Sequence, residues 1–376
     1  MPPKFEFEIR DKDIAGRIGK LRIGKKEIET PAIMPVVNPN KLFIPLKELE
    51  KDFRAKVVMT NAYIILRDDH LREGVLSKGI HRFLDFDGVV ATDSGSYQLM
   101  EYGNVITSNK EILGFQEEIG SDIGSFLDIP TSPDTYKPRA EKQLEITLGR
   151  AKEAKKTGFI VNAGIQGSIF PDLREKAAKE IGRDFRLCAV GGIVPLMEKY
   201  RFSELVDVIS IVKRNIPTNR VVHAFGLGHP MTLSLAVALG CDLFDSASYA
   251  LYAQRLRYMT EYGTKKLEHL AYLPCKCPVC SRYGMELKEL EVDELIRELA
   301  RHNLYTLMRE INVIKQAIKE GSLWELITMR CRSHPALLSG FRSLMKYGKW
   351  LSTLDNITGK SSFYLLDHES GKRSEV

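Results

Sequence analysis

The chain lacks several features that would place it in a specialised class of protein. No stretch approaches the roughly 18 consecutive apolar residues of a membrane span, and the start, MPPKFEFEIRDKD, lacks the apolar core of a signal peptide. Cysteine is scarce, with 6 in 376 residues, which argues against a disulfide framework like those of small secreted domains. We therefore expect a cytoplasmic protein without a membrane partner.

Charge of one sign is in only slight excess. The chain has 55 Lys and Arg against 49 Asp and Glu, a formal net charge of +6. This excess permits a polyanionic partner without requiring one, and the Lys- and Glu-rich surface of a heat-adapted protein would look the same. A dinucleotide loop is also missing, because the glycine-rich stretches AVGGIVP and AFGLGHP do not match G-x-G-x-x-G opening a helix.

One pattern repeats eight times: a short apolar run, a polar or glycine-rich exit, and then a helix-like segment. The runs are apolar throughout, which is typical of strands covered on both faces. They begin at Pro31, Lys56, Gly88, Asp122, Gly158, Leu187, Val221 and Asp242. Eight such units predict an α/β fold, a (β/α)8 TIM barrel. A doubly wound open sheet is the alternative.

The segments between the runs carry apolar stripes at helical spacing. They predict helices over 139–156, 171–182, 204–214 and 231–239, with Ser203 as an N-cap and Gly240 just past a helix end. We expect a catalytic barrel over 1–260, a zinc-binding helical subdomain packed on it over 261–350, and a C-terminal tail over 351–376.

Polar residues and glycines follow the predicted strands, at the end where a TIM barrel builds its site. They are Asn61, Asp93, Asp128, Gln166, Gly191, Gly192, Gly226, Gly228 and Asp245. A single Asp at such a place is usually a turn residue or a helix cap. Three at equivalent strand ends predict a shared site, beside glycines whose bare backbone can approach a flat ligand.

Half of the cysteines lie in one short segment, CKCPVC. Cys275, Cys277 and Cys280, together with His302 on an apolar helix face, would supply three thiolates and one imidazole. That is a closed tetrahedral set for one structural Zn2+ per chain. The alternative for His302 is a core histidine. The remaining cysteines are expected to be buried and inert: Cys188, Cys241 and Cys331.

With these residues in view, the chain resembles the tRNA-guanine transglycosylases, and the archaeal branch more closely than the bacterial one. The matching stretches are DSGSYQ (93–98), LDIPTSPD (127–134), NAGIQGS (162–168), AVGGIVP (189–195), FGLGHP (225–230), FDSASYALYA (244–253), CKCPVC (275–280) and HNLY (302–305). The resemblance implies a base exchange in which a 7-deazaguanine replaces guanine in tRNA and the backbone stays uncut. In the archaeal branch the incoming base is 7-cyano-7-deazaguanine (preQ0) and the site is position 15 in the D-loop, a step of archaeosine biosynthesis.

The motif match also implies roles for individual residues. Asp245 would attack C1′ and hold a covalent ribosyl intermediate, while Asp93 would act as general acid and base and bind the base edge. Two displacements at one carbon follow the logic of a retaining glycosidase. The residues implied to bind the base are Ser94, Asp128, Gln166, Phe225 and Gly226, with backbone N–H groups near Gly192, Ile193 and Val194 for the 7-substituent. Arg255 and Arg257 would hold flanking phosphates, or are solvated helix residues.

Many archaeal members carry a C-terminal extension that ends in a PUA RNA-binding domain, and this chain does not. We expect either a separate PUA-domain subunit or an isolated catalytic portion, and the resemblance implies a homodimer. Two alternatives stay open: a non-catalytic tRNA-binding subunit of a split transglycosylase, and a DNA-modifying deazaguanine transglycosylase. The presence of Asp93, Asp245, Asp128 and Gln166 argues against the first. The zinc cluster and the archaeal-type pocket motifs favour tRNA over DNA.

Overall fold

The structure, a computed structural model, describes residues 2–97, 107–356 and 364–373. Gln98, which ends the DSGSYQ stretch, lies outside these residues, as do 357–363 and 374–376 of the predicted tail. The strands are β1 (Phe5–Asp13), β2 (Gly16–Ile23), β3 (Lys26–Thr30), β4 (Ala32–Pro35), β5 (Val57–Asn61), β6 (Val89–Asp93), β7 (Ile123–Gly124), β8 (Ile160–Ile165), β9 (Leu187–Val190), β10 (Val221–Ala224), β11 (Leu243–Ser246), β12 (Arg257–Thr260) and β13 (Gly263–Lys266).

Eight of these strands form one parallel sheet in the order β4-β11-β10-β9-β8-β7-β6-β5. A parallel bridge between Val36 and Met59 joins its two edges, and the Val37 N–H donates to the Met59 carbonyl at 2.8 Å. The sheet is therefore closed into a barrel. The predicted (β/α)8 fold is confirmed, all eight predicted strands are present, and the doubly wound open sheet is wrong.

Helices follow the barrel strands and cover their outer face. Their bounds are Leu46–Lys51, Ala62–Arg67, Asp69–Lys78, Ile80–Leu84, Asn109–Glu118, Lys137–Ala154, Pro171–Asp184, Val194–Glu198, Phe202–Asn215, Pro230–Ala238 and Ser248–Gln254. The four predicted helices are thus present within two residues at each end. Ser203 is not an N-cap, because the buried Phe202 already begins that helix and Arg201 precedes it. Gly240 does follow a helix end, at φ +91°.

The chain after the barrel is mostly helical. The hairpin of β12 and β13 leads through a 3-10 turn, Leu267–His269, to Pro278–Tyr283 and a second 3-10 segment, Gly284–Glu289. The later helices are Val292–Glu320, Leu323–Cys331, Pro335–Leu344 and Gly348–Leu354, with 3-10 turns at Met345–Tyr347 and His368–Lys372. Val292–Glu320 packs against β1, β4 and Ser248–Gln254. In the described part of the chain, no helix is both long and apolar enough to span a membrane.

The antiparallel sheet β1-β2-β3 covers one end of the barrel, and the sequence did not predict it. Its side chains Phe5, Leu21, Ile23 and Ile28 join one apolar cluster with the first inward residues of the barrel strands. Those residues are Val57, Val89, Ile123, Ile160, Leu187, Val221 and Leu243. The N-terminal end of the barrel is therefore closed by apolar packing, and a ligand site must lie at the opposite mouth.

A buried ion pair ties this sheet to the barrel. Arg17 of β2 donates from Nε and Nη2 to the two carboxylate oxygens of Asp242, both at 2.7 Å, and from Nη1 to the Thr218 carbonyl at 2.6 Å. The Val222 N–H donates to Asp242 as well, at 2.7 Å. Both oxygens of this buried carboxylate accept hydrogen bonds. These bonds offset the desolvation cost of burying the two charges.

Removing one partner of this pair should be strongly destabilising. Arg17→Met leaves the Asp242 charge buried without its cation, and we expect a loss of about 3–5 kcal/mol in unfolding free energy. Denaturant titration measures this quantity. The half-exposed Arg22 on the same strand pairs with Glu27 at 2.8 Å, so Arg22→Met should change stability by less than about 1 kcal/mol. Equal losses for the two variants would contradict the assignment.

Candidate active site

Asp93 and Asn61 lie side by side at the C-terminal mouth, as the last residues of the neighbouring strands β6 and β5. The Asn61 amide donates from Nδ2 to Oδ2 of Asp93 at 3.0 Å, and its own Oδ1 accepts the Ile64 N–H at 2.9 Å. The Gly95 N–H donates to Oδ1 of Asp93 at 3.1 Å. The carboxylate is thus fixed on both oxygens while the residue stays partly exposed to the cleft.

The surroundings of Asp93 favour its neutral form. Burial in the barrel mouth raises the pKa of Asp93 to about 7, and the charges of Asp128 and Asp245 add to this rise, against the lowering effect of the Gly95 and Ser94 N–H groups. A carboxylic acid that titrates near neutral pH can both donate and accept a proton. Asp93 is therefore suited to general acid and base work.

Two groups contact the same oxygen of Asp245. The Gly226 N–H donates to Oδ1 at 2.5 Å and Nε2 of His223 lies 2.9 Å from the same oxygen. Gly226 reaches this position at φ +79°, a conformation that residues with a Cβ rarely adopt. Within the described residues, the hydrogen bonds of the Asp245 side chain all fall on Oδ1, so Oδ2 has no partner among them.

A second pair of side chains forms the next part of the mouth. Gln166 donates from Nε2 to Oδ2 of Asp128 at 2.6 Å. Burial raises the pKa of Asp128, while the hydrogen bonds from Gln166 and Ser96 lower it. Each side chain packs directly against a glycine. A Cβ at Gly164 would clash with Asp128, and a Cβ at Gly191 would clash with Gln166. Small residues here make room for the polar pair.

Arg174 holds the backbone around Gln166, the partner of Asp128, in place. It is fully buried and donates to three carbonyl oxygens at 2.6–2.9 Å, those of Ile165, Ser168 and Gly191. Burial lowers the pKa of Arg174 to about 9, and the Asp128 carboxylate opposes that effect. The guanidinium thus joins the exits of β8 and β9 and places a cation next to Asp128.

The other predicted base-binding residues line or support the same cleft. Phe225, Gly226, Gly192 and Val194 are partly exposed, while Ile193 has its side chain in the core. Within the described residues, the N–H groups of Gly192, Ile193 and Val194 have no acceptor from the chain. Ser94 is buried, and its hydroxyl donates to the Phe126 carbonyl at 3.0 Å, so the hydroxyl supports the loop in this conformation.

The sequence reasoning missed three residues of this site: Asn162, Arg174 and His223. All three are fully or almost fully buried polar residues. Asn162 and His223 stand in apolar strands on the inward face, each two residues after a residue of the interior apolar cluster, and this position could have singled them out. Arg174 lies on the buried face of Pro171–Asp184, where a cation is unusual.

The predicted metal ligands come together away from the barrel mouth. The ligand atoms of Cys275, Cys277, Cys280 and His302 all lie within 4.8 Å of one another. His302 donates from Nε2 to the Met259 carbonyl at 2.9 Å, so its Nδ1 lone pair faces the sulfurs of Cys277 and Cys280, each at 3.4 Å. Such a carbonyl partner is typical of a metal-binding histidine. The group could therefore hold a metal ion such as zinc.

The two arginines suggested for phosphate binding differ in their surroundings. Arg255 is exposed at the end of Ser248–Gln254. Arg257 donates from Nε to the Thr264 hydroxyl at 2.9 Å and so belongs to the β12-β13 hairpin. Arg255 is thus the freer of the two to reach a ligand.

The barrel is closed, and carboxylates from different strands lie at its C-terminal mouth, with a Cys3His group elsewhere in the chain. This is the layout of a (β/α)8-barrel enzyme. Residues 12–336 match the family described as Queuine tRNA-ribosyltransferase. The chain belongs to this family, and the resemblance stated from the sequence motifs is confirmed.

Curated relatives agree with this membership. The tRNA-guanine(15) transglycosylase of Thermococcus onnurineus is 52% identical over 372 residues, which are 98% of this chain and 64% of the relative. The protein of the same name from Pyrococcus furiosus is 52% identical over 371 residues, 98% of this chain and 63% of the relative. The one from Methanosarcina barkeri is 50% identical over 375 residues, 98% and 76%. The chain thus spans slightly under two thirds of the first two relatives.

The raised pKa of Asp93 predicts a pH-dependent stability. The folded-state pKa of about 7 exceeds the ordinary value of 3.8, so ionisation is disfavoured by folding and stability is lost as pH rises between these values. Asp93→Asn removes the titration. We expect its unfolding free energy relative to the parent chain to be higher at pH 8 than at pH 4 by about 1–3 kcal/mol. A constant difference across this range would contradict the assignment.

Proposed function

We propose that this chain exchanges guanine in tRNA for a 7-deazaguanine base, with preQ0 as the incoming base and position 15 as the target. The observation that carries the proposal is the pairing at one mouth of Asp245, held through one oxygen, with Asp93, whose pKa of about 7 suits proton transfer. The names of the relatives, tRNA-guanine(15) transglycosylase, support the same substrate and position.

Two displacements account for the exchange with retention at C1′. In the first, an oxygen of Asp245 forms a bond to C1′ as the C1′–N9 bond breaks, and the departing guanine takes a proton from Asp93. In the second, Asp93 removes the N9 proton of the incoming base, whose N9 attacks C1′ while the electron pair of the ester bond returns to Asp245. The reaction consumes no cofactor.

The incoming base fits between the polar pair and the apolar wall. Asp128 and Gln166 offer an acceptor and donor for its polar edge, and Phe225 offers a face for the flat ring. A nitrile accepts hydrogen bonds and cannot donate, so the N–H groups of Gly192 and Val194 suit the 7-cyano group. The target nucleotide must leave its stack to reach this cleft.

The Cys3His group is proposed to hold one structural Zn2+. Three thiolates and one imidazole are the donor set that zinc prefers, and four protein ligands leave no position open for a substrate. Cys275, Cys277, Cys280 and His302 would therefore stabilise the fold and take no part in the exchange. A homodimer and a separate PUA-domain subunit stay predictions.

Incorporation of labelled guanine into an unmodified archaeal tRNA transcript tests the function. We expect incorporation at position 15, and none into DNA of the same sequence. Asp245→Asn should abolish both incorporation and the covalent tRNA adduct, because the amide is a very weak nucleophile. The matched control is Asp134→Asn, an exposed residue paired with Lys199 and Arg201, which should stay within about twofold of the parent chain.

Other results of these experiments would each contradict one part of the proposal. Exchange into DNA would contradict the choice of tRNA. Absence of exchange, both alone and after addition of a PUA-domain protein, would contradict the catalytic role. Activity retained by Asp245→Asn would remove Asp245 as the nucleophile.

Loss of one thiolate tests the metal assignment. Cys277→Ser should lower the zinc content well below one ion per chain and lower the melting temperature, because binding free energy is part of folding free energy. Elemental analysis and thermal unfolding measure the two effects. Cys188→Ala removes a buried thiol outside the group and should retain the metal. Unchanged zinc content in Cys277→Ser would contradict the ligand set.

A further inference from the structure

We propose that His223, oriented by Asn162, is a positioning residue that selects which oxygen of Asp245 attacks the ribose. The inference rests on the proposed function and deepens it. His223 and the Gly226 N–H would hold Oδ1, so that Oδ2 forms the bond to C1′. The two hydrogen bonds also stabilise the carboxylate that departs when the incoming base arrives.

The contacts of His223 determine which tautomer its ring adopts. Asn162 lies with Nδ2 3.0 Å from Nδ1 of His223, and Nε2 of the ring lies 2.9 Å from Oδ1 of Asp245. An amide nitrogen donates, so Nδ1 accepts and the ring proton is on Nε2. The reverse amide orientation would put the Nε2 lone pair of a neutral ring against the carboxylate, which is repulsive. The arrangement therefore makes His223 a donor to Asp245.

His223 and Asn162 lie inside the barrel. Along β10, Val221 belongs to the apolar cluster inside the barrel, and His223, two residues later, points to the same interior. His223 is fully buried and Asn162 is 2% exposed. The Phe225 ring covers His223 at a centroid distance of 4.8 Å. The imidazole is thus shielded from solvent and reaches the cleft through Asp245.

The pair is also costly to keep. A barrel interior is ordinarily filled with branched apolar side chains, and burial of polar groups is unfavourable unless all of them are bonded. Within the described residues, Oδ1 of Asn162 has no hydrogen-bond partner. A purely structural layer would gain stability from apolar residues here. The unsatisfied amide oxygen accordingly points to a role for the Nδ2 donor that packing alone does not explain.

The charge on Asp245 changes during the reaction. Oδ1 carries more negative charge in the free carboxylate than in the ribosyl ester, where it is an ester carbonyl oxygen. Hydrogen bonds to a charged acceptor are roughly twice as strong as those to a neutral one. The His223 and Gly226 donors thus favour the carboxylate over the ester, which speeds the second displacement and limits accumulation of the covalent intermediate.

His223→Phe keeps a ring of similar shape and removes the donor. We expect kcat of guanine exchange to fall at least tenfold with KM for tRNA within twofold. The ratio of covalent adduct to free enzyme, at fixed guanine and tRNA, should rise three- to tenfold. His223→Gln places an N–H near the Nε2 position and should return this ratio to within twofold. Val222→Ala weakens packing on the outer face of the same strand and should leave the ratio unchanged.

A structural role predicts different results. If adduct and exchange fell in parallel in His223→Phe, or if His223→Gln did not recover the ratio, the positioning role would be overturned. A measurement without turnover covers the case in which the parent chain forms no adduct. Nitrogen NMR of histidine-labelled protein, with the His223 signal assigned by its loss in His223→Gln, should show the proton on Nε2. A proton on Nδ1 with none on Nε2 would overturn the proposal independently of the proposed function.

Discussion

The alternation of side chains along parallel strands, in a sheet that closes on itself, determines where everything else in this protein can lie. Closure through Val36 and Met59 turns one face of every strand into the barrel interior. Along β11, Leu243 lies in the apolar layer and Asp245, two residues later, reaches the mouth. Along β6, Ala91 and Asp93 repeat that arrangement. Carboxylates far apart in sequence therefore come close enough at one mouth for the charges of Asp128 and Asp245 to raise the pKa of Asp93.

Gathering carboxylates in a partly dry mouth is unfavourable, and the surrounding donors offset the cost to different degrees. Asp128 accepts from Gln166, with the cation of Arg174 close by. Asp93 accepts hydrogen bonds from the Asn61 amide and from N–H groups, but it has no adjacent cation among the described residues. This is consistent with its raised pKa. Burial raises the pKa of both Asp93 and Asp128, but their hydrogen-bond partners differ, so the environment distinguishes the carboxylates chemically.

The repeated part of the fold could be read from the sequence because each unit carries its own signal. The strands beginning near Val57 and Val89 are continuous apolar runs, and the polar exits marked the site. The sheet β1-β2-β3 was missed because it precedes the first repeat and mixes charged with apolar residues. The contact of His223 with Asp245 depends on which strands are neighbours and on the direction of one ring, and neither is encoded locally.

Hydrogen bonds connect the Cys3His group to the segment that follows Asp245. The segment after Asp245 runs through Tyr249 to Met259, and Asn303 holds both of its ends by accepting the Met259 N–H at 2.9 Å and donating to the Tyr249 carbonyl at 3.1 Å. The adjacent His302 donates to the Met259 carbonyl at 2.9 Å and presents its other nitrogen to the cysteines. An ion bound there would fix the imidazole of His302. It would thereby also fix the hydrogen bonds that hold the segment. A metal ion held by this group would thus determine how firmly the segment after Asp245 is anchored.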